Sequence, residues 1–374
     1  MKIILTGATG VLGSQIMYEI LELFIRDSIN GKLLLISRSK GKKSALDRIN
    51  KLLSSSYTPK ILKDQGLEKL DQYIEIIDTD LDSVQENFSS KIDGAYFIHS
   101  AGYVNLSTDE EHREKIFDEN TKITKVILNN FHHSIKKFIY IGTAFSSGER
   151  TGIVENDFHN LDFIPQHRNA YENAKFYSEN FVAKRCKDLG LPFQILRPSV
   201  ICGRLMDDEN KYFVSKYMVF YLLAKFFYLA AQRTTEQENV RFMINEKTGL
   251  NIIPVDYVAK IIVSVFRRDD IQQLNIVSHK SLNLVKGLEL IMDEMGYKNY
   301  TIIRNAPHFE YQNTTEKLYY ESIGKHLKPY LVTSAKQFNT TLLNSILEIP
   351  VLDDETFTQL IRYAKLHKFK DVNI

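Results

Sequence analysis

Short apolar runs alternating with amphipathic stretches organise the N-terminal half of the chain. The runs that begin at Lys2 and that span residues 32–37, 73–78, 93–102 and 136–142 show little polar alternation, the pattern of parallel strands buried on both faces. Between the first two, Ile16, Ile20, Leu21, Leu23 and Phe24 recur at helical spacing and predict a helix over residues 14–29. Another helix is predicted through Asn120 to about residue 130. Strands alternating with helices give an α/β fold, a Rossmann-like doubly wound parallel sheet over residues 1–203. Later runs at 250–254 and 274–278 are predicted to complete that sheet.

After Gly203 the alternation loses its regularity, which predicts a smaller, mainly helical substrate lobe built from residues 204–249 and 281–374. Its most distinctive stretch, 212–231, reads as an aromatic helix buried between the lobes, with its aromatic face lining an acyl channel or forming a mobile lid. The uninterrupted apolar part, 217–224, is too short to span a bilayer, so no transmembrane segment is expected. Asp256 sits in the first turn of a predicted helix and is read as structural. Helices are also predicted at 282–295 and 355–367, with Pro307, Pro329 and Pro350 as breaks.

The first strand meets its helix through Thr6-Gly7-Ala8-Thr9-Gly10-Val11-Leu12-Gly13. Glycines placed there allow a tight turn at Gly7, close phosphate approach at Gly10 and helix-on-strand packing at Gly13, with a pyrophosphate on the helix N-terminus. An NAD-selective chain places a carboxylate at the end of the second strand, for the ribose 2′-OH. Here Arg38 stands at that point and Arg48 follows in the next helix. Guanidinium suits a 2′-phosphate, so NADPH is the expected cofactor. Asp80 and Leu81 fall where the chain passes the adenine, and the small residues Ala101 and Gly102 leave room for the nicotinamide half. His99, just before them, is read as a packing residue.

The fifth strand runs into Thr143, and Tyr171 and Lys175 follow, four apart and therefore on one helix face. A free phenol titrates at about pH 10. An ammonium beside it favours the phenolate, so Tyr171 is expected to exchange a proton with the substrate oxygen while the cofactor exchanges a hydride. Lys175 would also reach the nicotinamide ribose, and Thr143 would donate a hydrogen bond to the substrate carbonyl.

Charge and composition narrow the partners. Lys and Arg number 48 against 46 acidic residues, a formal net charge of +2, which argues against nucleic acid and against a generally basic membrane-binding surface. Cys186 and Cys202 form no CxxC, and the ten histidines form neither HExxH nor a Cys/His cluster, so no disulfide framework and no metal are expected. A first strand starting at Lys2 leaves no room for a signal peptide, and a cytoplasmic location is expected. The Asn-x-Ser/Thr matches at Asn87, Asn105, Asn313 and Asn339 then count as chance.

Together these motifs resemble the extended short-chain dehydrogenases/reductases. The match covers the 6–13 turn, Asp80-Leu81, the Thr143/Tyr171/Lys175 triad and Leu196-Arg197-Pro198-Ser199-Val200-Ile201-Cys202-Gly203. Arg38 with residues 44–48, His99 through Asn105, Gly142-Thr143-Ala144-Phe145 and residues 251–259 resemble the fatty acyl-CoA reductases and thioester reductase domains. Gly142 stands where that subgroup often carries Ser, and residues 120–124 lack its usual glycine. The resemblance implies that Thr6, Thr9, Val11, Leu12, Asn120, Pro198 and Val200 join the three glycines, Ala101 and Gly102 in holding the cofactor.

It also implies NADPH-dependent reduction of an acyl thioester, carried by coenzyme A or by the phosphopantetheine arm of a separate carrier protein. Hydride addition and collapse of the hemithioacetal would give thiol and aldehyde, and a second reduction the alcohol. Two other readings stay open. One is a reductase, dehydrogenase or epimerase acting on a free carbonyl, an alcohol or a nucleotide sugar, against which the apolar 212–231 stretch stands. The other is a cofactor-binding scaffold without catalysis, against which the intact triad stands.

Overall fold

The computed structural model describes residues 1–81, 92–150, 152–157, 164–233, 236–304 and 309–372; Asn87 and Pro307 lie outside the described residues. Its N-terminal elements are β1 (Lys2–Thr6), α1 (Val11–Arg26), β2 (Lys32–Ser37), α2 (Ala45–Leu53), β3 (Ile74–Asp78), β4 (Ala95–His99), α3 (Ile123–Phe131) and β5 (Ile135–Ile141). The long helix α4 (Ala170–Leu189) and strand β6 (Phe193–Pro198) follow. With β10 (Gln273–Ile276) at one edge, these strands form a seven-stranded sheet in the order β10-β6-β5-β4-β1-β2-β3. Every pairing in it is parallel. The winding reverses between β1 and β4, and a ligand crevice opens above the carboxyl ends of strands at such a point.

Both faces of the sheet are covered, which is why its strands lack polar alternation. On one side Ile16, Leu21 and Phe24 of α1 are fully buried with Val258 and Ile262 of α6 (Val255–Val265). On the other, Leu128 and Phe131 of α3 pack with Val182 and Cys186 of α4. Each such side chain contributes about 1.5–3 kcal/mol by leaving water.

Three expectations are corrected. Strand β9 (Ile252–Pro254) does not join the sheet but pairs with β7 (Val200–Cys202) in a separate parallel ribbon. The chain changes partner within two residues: Ser199 N–H bonds Ile276 C=O at 3.0 Å, whereas Val200 N–H bonds Asn251 C=O at 3.2 Å. Residues 212–219 are not helical. Tyr212 N–H bonds Arg204 C=O at 2.7 Å, Arg204 N–H bonds Phe213 C=O at 3.0 Å, and Tyr212 and Val219 take positive φ. Helix α5 starts only at Phe220 and runs to Arg233. It packs on α7 (Leu284–Met295) and α8 (Asp354–Leu366) within the second core, so it lies inside its own lobe rather than between lobes.

That lobe also holds a parallel strand pair, β8 (Val240–Met243) with β11 (Tyr300–Ile303). Pro329 does not break a helix but sits inside one, Lys325–Leu331, that directly follows the π-helical turn Tyr320–Gly324. Among the described residues no helix is long and apolar enough to cross a membrane.

Candidate active site

Backbone crowding fixes the turn after β1. Gly7 has φ of +77°, a conformation side chains rarely adopt, and a Cβ on Gly13 would fall 2.0 Å from Gly7 C=O. Gly10 N–H closes the turn on Gly7 C=O at 2.8 Å. Helix α1 opens at Val11 with no side-chain cap and no acidic residue in its first turn, so first-turn N–H groups keep their capacity for an anion. Gly7, Gly10, Val11, Leu12 and Gly13 line one end of a cleft of about 500 Å³. Thr6 does not line it. Its hydroxyl contacts His99 Nδ1 at 2.8 Å and accepts Ala101 N–H at 3.2 Å, tying β1 to the loop after β4.

His99 Nε2 reaches Thr124 Oγ1 at 3.1 Å, and Thr124 donates to Asn120 C=O at 2.5 Å. Because Thr124 spends its proton on Asn120, His99 donates from Nε2 and accepts from Thr6 at Nδ1. Burial pushes its pKa down to about 3, helped by the charge of Lys175, so it stays a neutral tie. Asn120 lines the cleft, but its amide is occupied: Oδ1 accepts Tyr103 N–H at 3.2 Å, and Nδ2 donates to the carbonyls of Tyr103 and Ile116. It shapes the loop that carries Gly102. A π-helical turn, Asp118–Lys122, holds Asn120, and Ile123, where the glycine was expected, is the first residue of α3.

The cations form a second cluster. Arg48 donates to Thr9 Oγ1 at 2.6 Å and to Arg38 C=O at 2.7 Å, while its Nε is buried without a partner. Burial and the nearby Arg38 charge both lower the Arg48 pKa. Arg38 pairs with Asp80 at 3.3 Å, both exposed. Asp78 is committed to Ser39 N–H, Ser39 O–H and Ala45 N–H. Leu81 packs against the core beneath α3 and α4. Two guanidinium groups and an unfilled buried donor at the open end of β2 match an anion in chemistry.

At the middle of the cleft the structure brings Thr143, Tyr171 and Lys175 together with Gly102, Pro198 and Val200. Lys175 Nζ is buried, bonds Ile141 C=O at 2.7 Å and lies 4.3 Å from the Tyr140 ring centroid. Burial lowers its pKa, and Tyr171 and Glu179 act against that. The pKa of Tyr171 is raised, not lowered: burial outweighs the pull of the Lys175 ammonium. Thr143 caps the turn Ala144–Ser147, its hydroxyl accepting Phe145 N–H at 3.3 Å and donating to Pro198 C=O at 3.5 Å.

Behind the triad lies a buried network that sequence reading missed. Glu179, one turn beyond Lys175, accepts Thr143 N–H at 3.2 Å and Ser146 O–H at 3.0 Å and pairs with Arg197 at 2.6 Å. A Cβ on Gly142 would sit 2.2 Å from Glu179 Oε1, which explains why glycine replaces serine there. Tyr330, also in the cleft, donates to Glu172 Oε1 at 2.8 Å beside the buried Arg168–Glu172 pair. Lys336 reaches Ser147 Oγ and Gly148 C=O, and burial brings its pKa down to about 7. The far wall of the cleft is apolar, with Val104, Leu106, Met218, Phe220 and Leu327 among its residues. Among the described residues, Asp109, Glu111 and His112 have metal-ligand spacing, but Asp109 already pairs with Lys325 at 2.9 Å.

The family model of the male sterility protein matches residues 5–262. The chain belongs to that family. As a male sterility family member it is an oxidoreductase that uses a nicotinamide cofactor, with the fold of the extended short-chain dehydrogenases/reductases. Among solved structures it is similar to the terminal R domain from the myxalamid PKS-NRPS biosynthetic pathway, at 19% identity and TM-score 0.70, over 100% of this chain and 92% of that one. It is also similar to UDP-glucuronic acid 4-epimerase from Bacillus cereus, at 16% identity and TM-score 0.63, over 98% and 100%. UDP-glucose 4-epimerase from Thermotoga maritima shares 15% identity at TM-score 0.60, over 98% and 99%. No curated protein matches this male sterility family member.

Proposed function

We propose that the protein reduces an acyl thioester, presented on coenzyme A or on a separate carrier protein, with NADPH. One observation carries this reading: a single cleft joins the glycine turn, the Thr143/Tyr171/Lys175 triad and a long apolar wall from the helical lobe. Among the described lining residues, that lobe offers Lys216 and Tyr330 as its only polar side chains. Such a wall suits an acyl chain and suits poorly a sugar diphosphate, which needs several cations and donors. The myxalamid R domain, at TM-score 0.70 against 0.63 and 0.60 for the epimerases, supports the same choice.

The residues present fit a phosphorylated dinucleotide. The uncapped start of α1 would receive the pyrophosphate, and Arg48, with its unfilled Nε, would meet the 2′-phosphate together with Arg38. NADPH, when bound, supplies the hydride. Lys175, fixed on Ile141 C=O in the same cleft, would reach the nicotinamide ribose, and Tyr171 and Glu179 oppose the lowering of its pKa by burial. Thr143 would exchange its long 3.5 Å bond to Pro198 C=O for one to the substrate oxygen, and Tyr171, with its pKa raised by burial, would hold the proton that this oxygen receives. The resulting hemithioacetal collapses to aldehyde and free thiol.

The test follows NADPH oxidation with acyl-CoA substrates from acetyl to palmitoyl, with free aldehydes and UDP-sugars in parallel. Turnover with at least one thioester is expected. Turnover confined to free carbonyls or nucleotide sugars would overturn the proposal.

A further inference from the structure

A second cavity of about 30 Å³ lies inside the helical lobe. Phe220, Leu223, Leu250, Leu284 and Leu331 line both this cavity and the cleft, so the two share a wall. The remainder of its lining belongs to the second core, where Phe242, Tyr319 and Phe357 are at most 1% exposed. Among the described residues its single polar side-chain atom is the Tyr319 hydroxyl, buried without a hydrogen-bond partner. A buried water needs about two to four polar partners, so the chemistry of this space suits hydrocarbon.

Gly287 marks its edge. Glycine is a poor residue for the interior of a helix, yet it occupies the first half of α7. A Cβ there would meet Leu282 Cδ2 at 3.0 Å and Phe357 Cε1 at 4.0 Å, both side chains that line the cavity. Any larger residue would take up part of the space.

We propose that this cavity is a blind pouch that receives the end of the substrate's acyl chain and sets the chain length the enzyme prefers. The inference rests on the thioester reading above. The substrate class is then an aliphatic acyl thioester whose terminal methyl passes Phe220 and Leu223 into the second core. A space of about 30 Å³ holds the terminal methyl and little more, which contributes about four-fold to binding before the chain meets the buried rings of Phe242, Tyr319 and Phe357.

A chain-length profile of kcat/KM, from acetyl to palmitoyl thioesters, tests this on wild type, Gly287→Ala and Ile291→Ala. The wild-type profile should climb to an optimum and fall beyond it. Gly287→Ala, which narrows the pouch and favours the helix, should move the optimum to shorter chains and lower kcat/KM at the wild-type optimum about four-fold. Ile291→Ala, which enlarges the pouch, should move the optimum to longer chains. Opposite shifts do not arise from a general loss of folding. An optimum that stays in place in both variants overturns the pouch and leaves thioester reduction standing. Absence of NADPH oxidation with every thioester overturns the reading on which the pouch rests.

Discussion

Tyr171 stands under two opposed influences, burial raising its pKa and the Lys175 ammonium pulling it down, and burial prevails. For a reductase this direction is useful, because a phenol that keeps its proton at neutral pH can donate it to the substrate oxygen. The sign of the pH dependence follows: kcat/KM should hold through neutral pH and fall as pH rises through the Tyr171 pKa, where the donor is lost. Tyr171→Phe should lower kcat at least about 100-fold while NADPH still binds; a variant that keeps its activity would place the proton elsewhere. At the other end of the cofactor cleft, Arg48 offers a buried Nε with no partner. Arg48→Ala should weaken NADPH roughly ten- to hundred-fold, with NADH little affected. Equal losses for both cofactors, measured by titration, would remove the 2′-phosphate from the account.

Helix α4 carries more of the site than its triad residues alone. Tyr171, Lys175 and Glu179 follow at four-residue spacing on one face, and Glu179 reaches back to Thr143 N–H, Ser146 and Arg197. Gly142 leaves the space this carboxylate occupies. Gly142→Ser should therefore destabilise the fold by about 1–3 kcal/mol, read by denaturant unfolding, and should lower kcat by displacing the Thr143 turn. A variant as stable and as active as wild type would show that Glu179 does not depend on that space. The strands were legible in the sequence because both of their faces are apolar, and Tyr171 with Lys175 because a helix brings near residues together. Residues 212–219 were not, since their backbone is tied to Arg204 by bonds that no local periodicity reveals. Tyr330 was equally hidden: its partner Glu172 lies 158 residues away in sequence. The raised pKa of Tyr171 was missed for a related reason, because burial belongs to the fold rather than to the spacing.

Seen whole, the molecule places a parallel sheet's switch point against a lobe whose core is aromatic and aliphatic. The fold as a whole is shared with the two epimerases, over 98% of this chain at 16% identity and below. What separates the readings is the other wall of the cleft, and the thioester proposal makes a claim that no carbonyl or sugar reaction shares. Reduction of a thioester releases a thiol. The most direct measurement records free thiol and NADPH together, in one vessel, with an acyl-CoA from the optimum of the chain-length profile. The account predicts one thiol released for each thioester consumed, with at least one NADPH oxidised alongside. NADPH oxidation with aldehydes or sugars but no thiol from any acyl thioester would contradict it.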